Sequence, residues 1–255
     1  MRSVPKVDSA VLKLEWAFKR ISELNELLRE ARPFRYILET NFQTGERATF
    51  AKRDEAVIAQ CAHLSSEAVQ HMRSALDHAY WEIVSPFATT PKEERAVQFP
   101  FTERAERLDE AVKNRLAHKV SPGFFAAVKA LRPYKEPGGN KMLALLDSLN
   151  GPDKHRSLTP MADYKKIDAR TMRRQVPDFP AFISECYFGG NGKDVVWDFT
   201  RPHGPEAPIV HQELEVPVSI VFSIPPYGPA MPAVPTLNAL LGVAGDTIRV
   251  IREAA

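Results

Sequence analysis

Two long amphipathic segments constrain the fold of this chain more than any other feature of its sequence. From about Asp8 to Glu30, and again from about Asp54 to Val84, apolar residues recur with the 3.6-residue period of an α-helix. Asp8 or Ser9 suits the N-cap of the first helix, and Pro33 ends it. Because a one-sided helix must bury its apolar face against other elements, the two segments predict a mainly helical core.

Shorter elements are predicted between and after the two long helices. Two β-prone runs near residues 34–51, joined by a loop that ends in Gly45, predict a β-hairpin packed on the helices. Helical periodicity returns over Arg104–Leu131, with a break at 121–123, and over Met142–Leu149. The chain closes with an amphipathic helix from about Pro235, which suits the first helical position.

The character of the chain changes after about residue 176. Eleven of its 21 prolines lie from Pro177 onward. Gly189–Gly192 predicts a hairpin turn, and Pro217 predicts an edge strand or a bulge. The sequence predicts three β-prone runs in this part, over Ala181–Phe188, Asp194–Thr200 and Glu215–Ile224.

Together these patterns predict an α+β fold in a single domain, residues 1–255. Residues 1–176 form a mainly helical bundle core with the inserted hairpin. Residues 177–255 form a small C-terminal antiparallel sheet followed by the final helix.

Composition excludes several classes of protein. The chain has 34 Lys+Arg against 32 Asp+Glu, a formal net charge of +2, which argues against broad electrostatic binding of nucleic acid. No run approaches the roughly 20 apolar residues of a membrane span, and the N-terminus lacks the apolar core of a signal peptide. Two cysteines, Cys61 and Cys186, form no disulfide framework. We therefore expect a cytoplasmic protein without membrane contact.

The common catalytic motifs are missing from the sequence. It contains no GxxxxGK[ST] phosphate loop, no GxGxxG, no HExxH and no GxSxG. This argues against nucleotide hydrolases, dinucleotide oxidoreductases, zincins and the common serine hydrolases.

The densest polar set lies on the second predicted helix. Arg73 and Asp77 are neighbours at spacing i,i+4, on the border between the apolar face and the polar face. Three histidines stand where exposed helices usually carry Lys and Glu, and Asp77 and His78 precede Tyr80 and Trp81 in a part expected to be well packed. A solvated helix face and a functional site both fit this stripe, which is formed by His63, Glu67, His71, Ser74 and His78.

A second polar set, Asp153–Arg156, follows the Leu-rich helix and the breaker at 150–152. In one interpretation Asp153 caps a helical turn and the remaining residues are surface charges. In the other, the loop binds a phosphate: Arg156 binds it bidentately, Lys154 acts as a point charge, and His155 exchanges a proton.

Residues Arg73 to His78 match the R-x4-H form of the signature of HEPN domains, and the chain resembles that family in the long helix that carries the motif. The whole chain is also similar to a family of bacterial and phage proteins with an LRSALDH helix, an FP element, an LNxxDKHR loop and a C-terminal PTL helix. The corresponding segments are Met72–His78, Phe99-Pro100, Leu149–Arg156 and 235–237. The HEPN resemblance implies a helical bundle, often dimeric, and a metal-independent ribonuclease of the toxin or antiviral type.

In that hypothesis the motif residues cleave RNA without a cofactor or a metal ion. His78 is the general base or acid, Arg73 stabilises charge on the phosphorus, and Asp77 or Asp153 orients an imidazole. His155 is the complementary acid or base, Lys154 and Arg156 bind phosphate, and Ser74 follows the arginine as an orienting residue. Arg73 and His78 lie about 140° apart on an ideal helix, so they need a partner element or the mate in a homodimer to converge.

Two other interpretations stay open. In the first, the protein is a non-catalytic structural or partner-binding protein in which Arg73, Asp77 and the Asp153–Arg156 loop form a partly buried polar network. In the second, a metal ion is held by Glu67, His71 and His78, or by His155 and Asp153. We interpret Phe99–Phe101 and Trp197 as core and turn residues rather than a platform for bases.

Overall fold

Helices dominate the part of the chain that the computed structural model describes, which comprises residues 8–41, 47–150, 160–162, 174, 196–198, 209–214, 220–222 and 231–255. Two short 3-10 helices span Ser85–Phe87 and Ala105–Arg107. The described α-helices are α1 (Ser9–Glu30), α2 (Glu55–Val84), α3 (Pro91–Ala96), α4 (Leu108–Asn114), α5 (Ala117–Val120), α6 (Pro122–Ala130), α7 (Lys141–Leu149) and α8 (Ala233–Glu253). None of them is long and apolar enough to span a membrane.

The predicted hairpin is present as β1 (Phe34–Asn41) and β2 (Arg47–Arg53), which pair antiparallel with Tyr36 opposite Ala51. It is the centre of a four-stranded sheet, because β5 (Ile209–Leu214) pairs with β1 and β4 (Val196–Asp198) pairs with β2. The strand order is β4-β2-β1-β5 and every neighbouring pair is antiparallel. The prediction that the C-terminal strands form a sheet of their own is therefore wrong for β4, and β5, which lies outside the three predicted runs, was not predicted; both strands complete the sheet of the hairpin.

Three further short strands, β3 (Pro160–Ala162), β6 (Ile220–Phe222) and β7 (Met231–Pro232), belong to a three-stranded sheet. Strand β6 lies within the predicted run Glu215–Ile224, and its three residues are all buried. The predicted run Ala181–Phe188, the turn Gly189–Gly192 and the edge-strand position Pro217 lie outside the described residues.

Backbone contacts divide the chain into two compact units. The first comprises Met1–Asn25, Ala62–Thr159 and Phe222–Ala255, and the second comprises Glu26–Cys61 and Pro160–Val221. The four-stranded sheet belongs to the second unit, and helices α3 to α8 belong to the first. The single-domain organisation stays a prediction.

The core of the first unit forms around the buried face of α2. Tyr80 is fully buried, its hydroxyl donates to the carbonyl of Arg115 (2.9 Å), and its ring meets Phe99 edge-on and Phe124 at a tilt. Helix α8 packs on α6 and α7 through a buried face that the periodicity predicts. That face is formed by Leu237, Leu240, Ala244, Ile248 and Ile251.

The predicted bounds of the long helices are confirmed to within a residue or two. Asp8 caps α1, since its Oδ1 accepts from the backbone N–H groups of Ala10 and Val11, both at 3.1 Å. Helix α8 begins at Ala233, so Pro235 is its third residue rather than its first. Proline is compatible with that position because the first four N–H groups of a helix have no intrahelical acceptor.

Two local predictions are wrong, and one short helix was missed. The region Arg104–Leu131 breaks before Ser121 as well as at it, because Leu116 adopts a left-handed conformation with φ of 66° between α4 and α5. Helix α3 was not predicted, since six residues are too few to display a period. Trp81 is 49% exposed rather than packed, because it lies about 100° around the helix axis from the buried Tyr80.

A capping arrangement explains why α3 forms despite its length. Thr90 Oγ1 accepts from the backbone N–H of Glu93 at 3.2 Å. The Glu93 carboxylate in turn accepts from the Lys119 ammonium (2.6 Å) and from the backbone N–H and hydroxyl of Thr89 (2.8 and 2.9 Å). These donors, of which Lys119 has the largest effect, lower the pKa of Glu93 from its ordinary value of 4.5 to about 2.

We expect Glu93→Gln to destabilise the protein in a pH-dependent way. Because the folded-state pKa is lowered, the carboxylate contributes its full stability above the unfolded-state pKa and loses it as pH falls toward the folded-state pKa. The gap in urea midpoint between wild type and variant should therefore be larger at about pH 7 than at about pH 3.

The control is Glu94→Gln, one residue along the same helix, because the exposed Glu94 side chain forms no ion pair with a described residue. The cost of this change in urea midpoint should be small. An equal gap for Glu93→Gln at both pH values would contradict this account.

Candidate functional site

Arg73 sits at the centre of the polar residues that the structure brings together. Its side chain is 14% exposed, and its Nη1 lies 2.5 Å from Asp77 Oδ1, one helical turn along α2. Its Nε lies 3.9 Å from Asp147 Oδ1 on α7. The buried Nη1 has no partner with hydrogen-bond geometry among the described residues, so the short contact with Asp77 is ionic and poorly aligned.

The segment that follows α3 covers this cation. The Phe101 ring lies 4.4 Å from the guanidinium carbon of Arg73, at a distance typical of a cation–π contact. The Phe101 ring packs against Phe99 at a centroid distance of 4.9 Å, and Phe99 is buried against Tyr80. The interpretation of Phe99 as a core residue is confirmed, and Phe101 has a further role as the cover of the guanidinium.

Asp77 connects α2 to the same segment through the backbone. Its Oδ1 accepts from the N–H of Phe99 at 2.9 Å while it also faces the Arg73 guanidinium. One carboxylate thus satisfies a backbone donor and neutralises a mostly buried cation. Asp77 thus contacts Arg73 and Phe99, and the prediction that Asp77 or Asp153 orients an imidazole stays a prediction.

Helix α7 supplies the second carboxylate of the network. Asn140 caps α7 by accepting from the N–H groups of Met142 and Leu143, and the buried leucines of the helix fix its position. Asp147 therefore faces both Arg73 and Lys135, whose Nζ lies 3.4 Å from Asp147 Oδ2 and 2.6 Å from Glu103 Oε1. Burial works to lower the pKa of Lys135, but Glu103 and Asp147 outweigh it and raise that pKa above its ordinary value.

The charges of this network are compensated. Two cations, Arg73 and Lys135, face three carboxylates, which belong to Asp77, Asp147 and Glu103. A site that binds phosphate needs a cation that is not already paired with a carboxylate. In the described part of this network, both cations are paired.

The other predicted site residues do not join this network within the described part of the chain. Ser74 and His78 are half-buried on the polar side of α2. Neither side chain forms a hydrogen bond or an ion pair with a described residue. The loop residues Asp153, Lys154, His155 and Arg156 lie outside the described residues. The structure therefore brings Arg73 and Asp77 together, and their predicted convergence with His78 and the loop stays a prediction.

The alternative metal site involves residues that have other contacts. Glu67 lies 3.5 Å from Arg20 and 3.5 Å from His63 Nε2. His71 stacks on Trp16 with ring centroids 6.2 Å apart, and its pKa is lowered by burial first and by Lys13 second. In the described ranges, no three His, Cys, Asp or Glu side chains cluster in a way that could hold a metal ion.

A further cluster, which was not predicted from the sequence, surrounds Trp16; we call it the Trp16 face and define it as Lys13, Trp16, Lys19, Arg20 and His71. The indole is 40% exposed, with Lys19 Nζ at 4.9 Å and the Arg20 guanidinium carbon at 5.6 Å from its ring centroid. The sequence pattern could have predicted this cluster. Lys13, Lys19 and Arg20 stand three or four residues from Trp16, and such residues share one side of a helix.

The comparisons with known proteins add no relative: the chain matches no protein-family model, no curated protein and no solved structure.

We expect Asp77→Ala to destabilise the first unit by about 2 kcal/mol, because Arg73 loses its nearest counter-charge and the Phe99 N–H loses its acceptor. Asp77→Asn retains an acceptor and loses only the charge, so it should cost about half as much. Urea denaturation measures both values.

The matched control is Asp246→Ala on α8, whose carboxylate is 72% exposed and pairs with Arg249. That change should cost about 0.5 kcal/mol or less. An Asp77→Ala cost no larger than this would show that the Asp77 contacts contribute nothing to folding.

Proposed function

We propose that this chain is a non-catalytic binding protein in which Arg73 and Asp77 are structural. The observation that carries the proposal is the state of the Arg73 guanidinium, which is mostly buried, matched by Asp77 and Asp147, and covered by Phe101. A cation that stabilises a transition state must be aimed at the position where negative charge develops. The charge of Arg73 is directed at two carboxylates of its own chain.

The cost of releasing Arg73 supports the same conclusion. To contact a phosphate, the guanidinium would have to leave Asp77 and the face of Phe101. The half-buried Asp77 carboxylate would then lose the counter-charge of Arg73. Breaking a mostly buried ion pair costs on the order of 2–4 kcal/mol, which the phosphate contact would first have to offset.

A metal-independent ribonuclease of the toxin or defence type is the second candidate, and one observation favours it. His78 is half-buried on the polar side of α2, and its side chain forms no hydrogen bond with a described residue, so its ring nitrogens are open to a substrate group. In this alternative His78 removes the proton of a ribose 2′-hydroxyl, that oxygen attacks the adjacent phosphorus, and the 5′-oxygen leaves with a proton from His155.

The ribonuclease alternative also requires cations that stabilise the negative charge developing around the phosphorus. Because Arg73 is engaged within its own chain, Lys154, Arg156 or a second copy of the chain in a homodimer would have to supply that charge.

Incubation of the purified protein with total RNA in excess EDTA discriminates between the two candidates. We expect wild type, His78→Ala and His118→Ala to leave the RNA intact. The exposed His118 on α5 provides the matched histidine control. Cleavage by wild type and by His118→Ala, with none by His78→Ala, would overturn the non-catalytic proposal and identify His78 as catalytic.

A further inference from the structure

The exposed indole of Trp16 is not needed by the core of the protein. Helix α1 buries Ala10, Ala17, Ile21 and Leu24, whereas Trp16 lies on another side of the helix with 40% of its surface in water. Large aromatic side chains dominate the energetics of interfaces because they bury much area with few rotatable bonds. An indole held outside the core therefore marks a surface that a partner can use.

The neighbours of Trp16 hold the indole in place and leave it accessible. His71 of α2 stacks on it with ring centroids 6.2 Å apart and an angle of 29° between the ring planes, so a ring from a second helix holds the indole from one side. Arg20 is fixed beside it by Glu23 at 2.9 Å and by Glu67 at 3.5 Å. A ring held in this way loses little conformational entropy when a ligand binds.

The two lysines of the Trp16 face carry charge that is not compensated within the described chain. Lys19 Nζ lies over the indole at 4.9 Å, and Lys13 is close enough to His71 to lower the pKa of that imidazole. Neither ammonium forms an ion pair with a described residue. The Trp16 face therefore differs from the Arg73 network, in which every described cation is matched by a carboxylate.

We propose that the Trp16 face binds single-stranded nucleic acid, with a base stacked on the exposed part of the Trp16 indole and the flanking phosphates on Lys13 and Lys19. An aromatic platform beside unpaired cations is the combination that binds a nucleotide, since the base uses the ring and the backbone uses the charge. An acidic peptide would use the two lysines and leave the indole surface exposed. The inference rests on the proposed function, because it names the partner of a binding protein.

Fluorescence anisotropy of a labelled short oligouridylate, titrated with the full chain in EDTA at low salt, tests the proposal. We expect Trp16→Ala to weaken binding about tenfold or more, from the loss of base stacking, and Trp16→Phe to restore part of the affinity. Trp81→Ala is the matched control and should bind as wild type does. Trp81 is 49% exposed, and no cation or ring of a described residue lies against it.

Salt dependence tests the phosphate contacts separately. Each lysine that neutralises a phosphate should contribute about 0.7 to the slope of log affinity against log salt, so Lys19→Gln should flatten the slope by about that amount. The circular dichroism spectra of the variants check that each is folded.

Three outcomes would overturn the proposal. They are no binding by wild type, equal loss of affinity in Trp16→Ala and Trp81→Ala, and competition by polyglutamate as effective as that by unlabelled oligouridylate, which would identify an acidic protein as the partner. Cleavage of the RNA would instead contradict the non-catalytic proposal and leave the assignment of the Trp16 face intact.

Discussion

Burial of one face of the 30-residue helix α2 is the constraint on which the rest of the first unit depends. Met72, Leu76 and Tyr80 are fully buried along that face. Arg73, the neighbour of Met72, is consequently carried to the border of the core, where a guanidinium largely removed from water needs counter-charges. Asp77 follows one turn later on the same side, and Asp147 approaches from α7.

The burial of one face of α2 also separates its charged residues from its histidines. On the side of Arg73, charges are matched and covered, and the Asp77 carboxylate joins α2 to the backbone of Phe99. On the side of His71 and His78, the imidazoles are partly open to water, and one of them stacks on the exposed Trp16. The motif residues Arg73 and His78 thus belong to different environments, about 140° apart around the helix axis. This separation is why the geometry favours a structural role for Arg73 and a binding role for the opposite surface.

Local patterns predicted the long helices and the hairpin well, because periodicity and capping act over a few residues. The i,i+4 pair of Arg73 and Asp77 was predictable for the same reason. Partners distant in sequence were not. Nothing near Arg73 in the sequence indicates Phe101 or Asp147, and nothing near Phe34 indicates that Ile209–Leu214 completes its sheet. The left-handed Leu116 was missed because a leucine, unlike a glycine, does not indicate a left-handed conformation in a sequence.

A double-mutant cycle on Arg73 and Asp77 tests the central claim most directly. Arg73→Met retains a long apolar stem over Phe101, Asp77→Asn retains an acceptor for Phe99, and the cycle isolates the ionic interaction between the two side chains. We predict a coupling free energy of about 1 kcal/mol or more, against about 0.5 kcal/mol or less for the exposed pair Arg249 and Asp246 treated in the same way. A coupling for Arg73 and Asp77 no larger than that of the exposed pair would contradict the account, because the guanidinium would then be free to serve a ligand.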